Sequence, residues 1–434
     1  MAKYVQDIRG VVNAEISNKF ASHLGTIIGN YLGCGQYVLV GRDFYTPSQM
    51  IKRSITTGLM SSGINVMDFG VAPIPVIHSN MDFYNASVMI SISRSHLRPE
   101  DVNIKIISDH EIPLEQRPGE KVSWKEIGEL NYVHDYRDRY INAVVEKAPK
   151  ELIEEKGFLL VLDCEEGLNK PFAPDILHKM DCQTILIGCK DTQLEFSFPE
   201  PNPQRISLVS ELITAIGADM GIILDNDQDM VVFIDEKGNR IRDQTILGIF
   251  SKYILEENPR STIVSSVVVS KSLDEIISKK EGKLIKTSVN QVLSGIVEED
   301  AIFGGDEPGM FVFPEFQLCF DAIFAVVKML EILAKNDTTL SNLAGEIKQY
   351  SRTVFTIDCE HEKKAQIIDI FKDNFESKYE INTLDGIRVD LDDSLILIRP
   401  SRFEPLIRVY LESKSAEKLQ ELSETVKSMI EMVQ

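Results

Sequence analysis

Residues 219–230 read DMGIILDNDQDM, a short apolar strand that runs directly into an acidic loop. Similar strand-length runs recur along the chain, and each is followed by turn residues and a segment with helical periodicity. These runs are QYVLVGRD (36–43), NVMDFGV (65–71), ASVMISIS (86–93), GFLLVLDC (157–164), QTILIG (183–188) and STIVSSVVVS (261–270). The alternation predicts an α/β fold with largely parallel sheets, in which ligands bind at loops beyond the carboxyl ends of the strands.

The chain of 434 residues has a globular composition and is long enough for roughly two to four domains. Its 46 basic and 67 acidic residues give a net charge of −21, which argues against nucleic acid or an anionic membrane surface as a partner. No run approaches the roughly 18 apolar residues of a membrane helix, and the N-terminus lacks a signal peptide's apolar core. The six scattered cysteines are typical of buried thiols, so we expect a cytoplasmic protein.

Three boundaries divide the chain into four predicted domains. The charged segment 145–157 is typical of a helical bridge, residues 238–244 precede a long apolar helix, and a third α/β stretch ends near 349–354. The remaining part combines a helix at 361–378 with paired strands at 386–401, which predicts a compact α+β unit. The predicted domains are 1–148, 149–244, 245–352 and 353–434.

The first polar loop lies within SISRSHLRPEDVNIK, residues 91–105, after a buried strand. Ser95 in this loop is either an exposed nucleophile or phosphate carrier, or the N-cap of a following helix. The residues alone favour the cap.

The second polar loop carries Asp225, Asp227 and Asp229 at alternate positions. Three converging carboxylates repel one another unless a hard cation such as Mg²⁺ or Ca²⁺ neutralises them. A solvated acidic turn is the alternative. Because a buried strand feeds the loop directly, the sequence favours a metal site.

The third polar loop, IFGGDEPGM at 302–310, has glycines that allow a ligand to approach the backbone. Gly305 is one of them, and the carboxylates of Asp306 and Glu307 can accept hydrogen bonds from sugar hydroxyls. An ordinary Gly-Pro turn explains the same residues equally well.

The fourth polar loop, IRPSRFEPLIRVYLE at 398–412, is the strongest basic cluster in this acidic chain. It contains Arg399, Ser401, Arg402 and Arg408. Arginines with backbone N–H groups grip phosphate, whereas the alternative is a hairpin with salt bridges to its own glutamates. The local charge opposes the global charge, so phosphate binding is favoured.

In this order, the motifs resemble those of the α-D-phosphohexomutase superfamily, which comprises phosphomannomutases, phosphoglucomutases and phosphoglucosamine mutases. SRSHLRPEDVNIK is similar to the family's T-A-S-H-N-P-x-x-x-N-G-I-K, and GADMGIILDNDQDM to G-A-D-L-G-I-A-x-D-G-D-A-D-R. FGGDEPG resembles F-G-G-E-x-S-G-H, and RPSRFEPLIRVYLE resembles R-P-S-G-T-E-P-x-I-R-V-Y-x-E. The resemblance implies three α/β domains with mixed sheets and a smaller C-terminal α+β domain around a central cleft.

The resemblance also implies a reaction, in which a phosphoryl group moves between the 1- and 6-positions of a hexose phosphate through a phosphoserine and a bisphosphate intermediate. It places the phosphoserine at Ser95, with His96, Lys105 and Arg9 as further catalytic residues. The implied cofactors are Mg²⁺, held by Ser95 and the three aspartates, and a hexose 1,6-bisphosphate that primes the enzyme. The partner is a small sugar phosphate, bound by the third and fourth loops to a monomer or homodimer.

The chain departs from the family pattern at four positions that normally carry charge or hydrogen-bonding groups. Met230, Pro308, Met310 and Val292 stand where the family has Arg, Ser, His and Lys. These departures could reduce activity or change the substrate. Two alternatives therefore stay open, a catalytically weakened sugar-phosphate-binding paralogue and a Mg²⁺-dependent sugar phosphatase.

Overall fold

A computed structural model describes residues 4–95, 98, 100–115, 117, 119–164, 172–188 and 203–431. The chain forms two compact units, Met1–Arg242 with Pro308–Asn342 and Asp243–Glu307 with Leu343–Gln434. It therefore passes from the first unit to the second, returns to the first, and ends in the second.

The first unit begins with a six-stranded mixed sheet. Its strands are β1 (Tyr4–Val11), β2 (Tyr37–Arg42), β3 (Asn65–Val71), β4 (Val88–Arg94), β5 (Asp101–Ser108) and β6 (Leu130–Tyr132). They lie in the order β1-β5-β4-β2-β3-β6, with β5 antiparallel to both of its neighbours. The helices of this part are α1 (Asn18–Leu32), α2 (Thr46–Met60), α3 (Ile74–His78) and α4 (Tyr136–Lys147).

Alternating apolar residues bury both faces of this sheet, as expected for strands covered on two sides. Val38 and Val40 on β2 pack in one core with residues of α1 and α2, whereas Leu39 packs in a second core with Phe69. Glycine lets α1 and α2 approach closely, since a Cβ at Gly25 would lie 2.2 Å from the carbonyl oxygen of Ile55. The two cores hold the carboxyl ends of the strands in place.

The first unit also contains a four-stranded sheet in the order β10-β9-β7-β8. Its strands are β7 (Leu159–Asp163), β8 (Gln183–Ile187), β9 (Met220–Leu224) and β10 (Val231–Ile234). β9 and β10 form an antiparallel hairpin, and the other neighbours are parallel. The accompanying elements are α5 (Lys150–Lys156), α6 (Phe172–Lys179), α7 (Pro203–Ile216), the short strand β14 (Met310–Val312) and α11 (Ala322–Asn336).

The second unit has two sheets. Three parallel strands, β11 (Thr262–Ser266), β12 (Lys283–Thr287) and β13 (Phe303–Asp306), have β11 in the middle. With them are α8 (Asp243–Glu257), α9 (Lys271–Lys279) and α10 (Val292–Glu298), while α12 (Leu340–Glu346) contains a boundary between the units.

The C-terminal sheet of the second unit is antiparallel and has the order β15-β19-β18-β17-β16. Its strands are β15 (Ser351–Asp358), β16 (Ile381–Asn382), β17 (Ile387–Asp390), β18 (Ser394–Pro400) and β19 (Leu406–Ser413). Two helices, α13 (Lys364–Glu376) and α14 (Ala416–Glu431), pack against it. The paired strands and the helix predicted for this part are confirmed.

Two expectations from the sequence were wrong. The apolar run 261–270 is a strand only as far as Ser266, because Val267 and Val268 leave the sheet to pack against Leu397. The six cysteines are also not all thiols. Cys164 is disulfide-bonded, and its backbone N–H donates to the carbonyl of Ile187 at the end of β8. Within the residues that the structure describes, no helix combines the length and apolarity needed to cross a bilayer.

Candidate functional site

Ser95 follows β4 directly and closes a loop that leads back into β5. It is 5% exposed, and its backbone N–H donates to the carbonyl of Asp101 at 3.1 Å. The next element that the structure describes after Ser95 is the strand β5, so no described helix begins there for Ser95 to cap. His96, the neighbouring candidate, lies outside the described residues.

Asp43, which sequence reasoning did not single out, anchors the start of this loop. Its carboxylate accepts the backbone N–H of Arg94 at 2.7 Å and that of Tyr45 at 3.0 Å. Desolvation of the carboxylate, together with the charge of Asp227, raises the pKa of Asp43 to about 6 despite these two donors. Asp43 thus connects the end of β2 to the end of β4, one residue before Ser95.

The three aspartates lie in the turn of the β9–β10 hairpin. All three are buried, with exposures of 3–4%, so the alternative of a solvated acidic turn was wrong. The turn is held from outside the hairpin, since the carbonyls of Asp227 and Gln228 accept the backbone N–H groups of Ile74 and Ala322. The β3–α3 connection and the start of α11 therefore position the turn.

Two of these carboxylates have donors from the six-stranded sheet. The hydroxyl of Ser93 donates to Asp227 Oδ2 at 2.8 Å, and Lys105 Nζ donates to Asp229 Oδ2 at 2.5 Å. In Asp225, Oδ1 accepts the backbone N–H of Met230 at 3.0 Å, but the buried Oδ2 has no hydrogen-bond partner in the described chain. A buried carboxylate oxygen without a donor is the feature that a bound cation would satisfy.

The electrostatics follow from this crowding. Burial, and then the charges of Asp229 and Asp227, raise the pKa of Asp225 well above its usual range. Burial lowers the pKa of the Lys105 ammonium, but the charges of Asp229, Asp7 and Asp227 outweigh it and raise that pKa above its usual value. Lys105 is therefore a fixed positive charge beside the aspartates.

Arg9 lies beside Lys105 on the same face of the sheet. Asp7 is opposite Lys105 in the β1–β5 register, and Arg9 is opposite Asn103, two residues along each strand. Side chains at alternate positions share a face, so Arg9 and Lys105 are diagonal neighbours. The structure thus brings Arg9, Lys105, Ser95 and the aspartate turn to one edge of the first unit.

The chemistry of these side chains suits a hard divalent cation. Three carboxylates are buried together, one lysine is ion-paired with one of them, and one carboxylate oxygen has no hydrogen-bond donor. In this structure, however, they are not arranged as a complete set of metal ligands. Among the residues with described positions, no group of three or more His, Cys, Asp or Glu side chains has metal-site geometry. Ser93 and Lys105 engage two of the three carboxylates instead.

The predicted sugar-binding loop belongs partly to the second unit, and its carboxylates already have protein partners. Asp306 Oδ1 accepts the Ser266 hydroxyl at 2.6 Å and the Glu307 N–H at 2.8 Å. Burial raises the pKa of Asp306 to about 7, although both donors oppose the shift. Gly305 lies in β13, where its carbonyl accepts the Ser265 hydroxyl at 2.8 Å.

Glu307 is held as firmly as Asp306. Arg352 pairs with both of its oxygens, and Gln244 donates to Oε1 at 2.6 Å. Sequence reasoning missed these partners, because Gln244 and Arg352 lie 63 and 45 residues away along the chain. A sugar hydroxyl would therefore share these carboxylates with protein donors.

The predicted phosphate loop joins β18 to β19 in the second unit. Arg399 pairs with Asp385 at 2.9 Å, and Arg408 pairs with Glu404. The salt-bridged hairpin proposed as the alternative is thus present in part. Ser401 closes the loop, because its N–H donates to Leu406 and its hydroxyl accepts the Glu404 N–H. Arg402 is exposed, with its guanidinium over the Phe403 ring.

The four departures differ in their surroundings. Val292 begins α10 and is 1% exposed, so its side chain belongs to the core. Met230 has lost the charge of the family's arginine, but its N–H still donates to Asp225. Pro308 and Met310 flank Gly309, which has φ +75° and where a Cβ would lie 2.3 Å from the Val231 carbonyl oxygen. The turn from Pro308 to Met310 therefore needs glycine at position 309. It packs against Val231, the first residue of β10 after the aspartate turn.

Comparison with known families decides which fold this is. Residues 1–124, 138–238 and 242–350 match the models for the alpha/beta/alpha domains I, II and III of phosphoglucomutase/phosphomannomutase. Residues 357–428 match the model for the C-terminal domain of the same proteins. The chain belongs to the phosphoglucomutase/phosphomannomutase family. The predicted fold class, three α/β domains and a smaller C-terminal domain, is confirmed.

Relatives of this family match over nearly the whole chain. A phosphoglucomutase/phosphomannomutase of Thermococcus kodakarensis is 30% identical over 96% of this chain and 95% of its own length. A probable phosphoglucosamine mutase of Methanobrevibacter smithii is 32% identical over 98% of this chain and 97% of its own length. These names cover more than one hexose, so the family does not by itself identify the sugar.

Solved structures show the same fold. A phosphoglucomutase/phosphomannomutase family protein of Burkholderia thailandensis has a TM-score of 0.86 and 21% identity, covering 99% of this chain and 96% of its own. An Aspergillus fumigatus N-acetylphosphoglucosamine mutase with a serine-to-alanine substitution, in complex with glucose 1,6-bisphosphate, has a TM-score of 0.58 and 12% identity. That match covers 91% of this chain and 76% of the fungal chain.

Proposed function

We propose that this protein is a phosphohexomutase that moves a phosphoryl group between the 1- and 6-positions of a hexose phosphate. The observation that carries the proposal is the cluster at one edge of the first unit. There Ser95 follows β4, which reaches the buried aspartate turn through the Ser93–Asp227 hydrogen bond, with Lys105 ion-paired to Asp229 and Asp225 Oδ2 unsatisfied. Family members named for glucose, mannose and glucosamine phosphates support the same chemistry.

In this proposal Ser95 carries the phosphoryl group, first donating it to one hydroxyl of the sugar phosphate and then accepting the other phosphate from the bisphosphate. Asp225, Asp227 and Asp229, with a phosphate oxygen on Ser95, would hold Mg²⁺. Bound there, Mg²⁺ neutralises charge on the transferring group. The fungal relative's complex with glucose 1,6-bisphosphate supports such a sugar as the priming compound.

Lys105 and Arg9 supply positive charge near the carrier. Because its neighbours keep Lys105 protonated, it stabilises developing negative charge, while its role as an acid or base rests on the resemblance. His96 remains a candidate on the resemblance alone. Asp43 and Ser93 are positioning residues, since they hold the loop before Ser95 and the aspartate turn.

The second unit provides the proposed binding groups. Arg399, Ser401, Arg402 and Arg408 would hold the phosphate that does not react, and Gly305, Asp306 and Glu307 would contact the sugar. The sugar-loop carboxylates are already engaged by Ser266, Gln244 and Arg352, which would weaken their hold on a hexose.

The deciding experiment is peptide mass spectrometry of the full-length protein before and after incubation with glucose 1,6-bisphosphate and Mg²⁺. We expect one phosphoryl group on Ser95, and its loss with Ser95→Ala. A coupled assay with the 1-phosphates of glucose, mannose and glucosamine then identifies the sugar. Binding without phosphorylation or turnover would support the paralogue, whereas steady release of inorganic phosphate would support a phosphatase.

A further inference from the structure

Lys364 is a buried lysine beneath the fourth polar loop that neither the sequence motifs nor the resemblance singled out. It is the first residue of α13 and is 6% exposed. Its Nζ donates to the carbonyl oxygens of Ser401 at 2.7 Å and Glu404 at 2.5 Å, and lies 3.0 Å from His361 Nδ1. Lys364 thus contacts the loop at both Ser401 and Glu404.

These contacts orient the loop's peptide groups. In a planar trans peptide the C=O and the following N–H point in opposite directions. Because the Ser401 carbonyl points at Lys364, the N–H of Arg402 points away from it. Among the described residues that N–H makes no hydrogen bond. It is therefore an oriented, unused donor on the side of the loop that faces away from Lys364.

The charge beneath the loop acts in the same direction. The ammonium of Lys364 donates to two neutral carbonyl oxygens and lies beside a ring nitrogen of His361, whereas the Glu404 carboxylate is paired with Arg408. No carboxylate in the described chain forms a salt bridge with Lys364. Its positive charge therefore adds to the field of the Ser401–Arg402 peptide dipole and favours an anion at the Arg402 N–H.

Arg402 and Phe403 distinguish this loop from the family pattern. The family pattern has Gly and Thr at these positions, but this loop has two bulky side chains and no flexible glycine. A contact from outside the loop adds to the loop's own hydrogen bonds in fixing its peptide groups. Lys364, 37 residues before Ser401 in the chain, makes that contact.

We propose that Lys364 is a positioning residue for phosphate binding, which turns the Ser401–Arg402 peptide so that the Arg402 N–H faces the phosphate monoester. The inference rests on the proposed function, because it takes this loop as the site for the phosphate that does not react. It adds a residue and a backbone donor that sequence reasoning missed.

The test measures binding of glucose 6-phosphate to the full-length protein by calorimetry. Lys364→Met should weaken binding about tenfold or more, because a charge-assisted contact is lost and the Ser401 peptide is free to turn. Lys363→Met is the matched control. Lys363 is the adjacent lysine, 64% exposed in its side chain and paired with Glu360, so its loss should change binding less than twofold.

Lys364→Gln keeps a neutral donor beneath the loop and should bind with intermediate affinity. If Lys364→Met and Lys363→Met bind alike while the wild type binds, the positioning role is wrong and the proposed function stands. If the wild type binds no hexose phosphate at all, the proposed function fails first. In mutase assays the effect should appear in KM more than in kcat, because the contact serves the bound phosphate in every step.

A measurement on the wild type remains decisive even if both Lys364 variants fail to fold. With ¹⁵N-arginine labelling, the backbone amide resonance of Arg402 should shift downfield on titration with glucose 6-phosphate. An Arg402 amide that does not respond while binding is seen by calorimetry would overturn the proposal.

Discussion

At the scale of single residues, the site is governed by carboxylates that the fold keeps out of water. Asp306 shows the effect most clearly, since burial raises its pKa from 3.8 to about 7 even though Ser266 and the Glu307 N–H stabilise its charged form. The sequence identified Asp306 as a candidate, but only the structure shows that its oxygen is already occupied. A residue type can be read from a motif, whereas its donors come from strands far away in the chain.

The titration of Asp306 predicts a pH-dependent stability. An acid whose pKa is raised by folding binds its proton more tightly in the folded state, so its contribution is complete below about pH 4 and lost as the pH rises through about 7. Asp306→Asn keeps an acceptor for both donors but cannot ionise. We expect the wild-type Tm to fall relative to that of the variant between about pH 4 and 7, with a limit of about 4 kcal/mol from about 1.4 kcal/mol per pKa unit.

Thermal unfolding monitored by circular dichroism across this pH range checks the prediction. Asp392→Asn, at an exposed position of the same unit, is the control and should leave the pH profile unchanged. Parallel profiles for the wild type and Asp306→Asn would show that Asp306 is ionised in the folded protein across the whole range.

The Lys105–Asp229 ion pair predicts that the charge of Lys105 affects how much Mg²⁺ stabilises the protein. Its ammonium is the ion-pair partner of Asp229, so Lys105→Met leaves the three aspartates with less compensation. Without Mg²⁺ the variant should melt at a lower temperature than the wild type, and millimolar Mg²⁺ should restore more of its stability than it adds to the wild type. Differential scanning fluorimetry with and without MgCl₂ measures both. Lys121→Met, an exposed lysine, should show neither effect, and an equal Mg²⁺ response in all three proteins would refute the coupling.

At the scale of elements, the sequence predicted the positions of the strands well. It predicted less well which strand ends and turns contact one another. The runs at 36–43, 65–71 and 86–93 correspond to β2, β3 and β4, because buried parallel strands leave a continuous apolar signal. What the sequence could not show is that β4 reaches the turn after β9. The Ser93–Asp227 hydrogen bond joins residues 134 apart in the chain, and no local pattern encodes such a pairing.

The β4 strand itself supplies a matched test of that hydrogen bond. Ser93→Ala removes the donor to Asp227 and should lower Mg²⁺ affinity severalfold, corresponding to about 1–2 kcal/mol for a hydrogen bond to a charged group. Ser91 lies two residues earlier on the same strand, is also buried, and makes no side-chain hydrogen bond within the described residues. Titration of Mg²⁺ by calorimetry should therefore separate Ser93→Ala from Ser91→Ala. Equal affinities in both variants would mean that Ser93 does not position the aspartate turn.

At the scale of the whole molecule, ordered motifs identified the family, whereas the supporting contacts came only from the structure. The aspartates, Ser95 and the arginines of the fourth loop stand in recognisable strings, so one sequence was enough to find them. Lys364, Arg352 and Gln244 do not, because each acts through a partner in another element. The positioning residues of this site are thus less visible in sequence than the residues they position.

Arg388 illustrates how such contacts join two sheets of the second unit. It lies on β17 and is 1% exposed, and its Nη1 donates to the carbonyls of Val267 at 2.6 Å and Val269 at 2.7 Å. Its remaining nitrogens pair with Asp390. A buried arginine with these acceptors fixes the segment after β11 against the C-terminal sheet, and with it the two parts of the unit.

Removing this arginine should therefore weaken the whole second unit and not one strand. Arg388→Met leaves two carbonyls and a carboxylate without their donor, and we expect a loss of about 3–5 kcal/mol in the free energy of unfolding. Calorimetry should show that the second unit melts at a lower temperature than in the wild type. Limited proteolysis should cleave first in the part of the second unit that lies between the β11 segment and the C-terminal sheet. Arg260→Met removes an arginine that is 81% exposed in its side chain, and should change neither. If Arg388→Met unfolds as the wild type does, the two sheets are held together by their apolar contacts around Val267, Val268 and Leu397, and the buried arginine is dispensable.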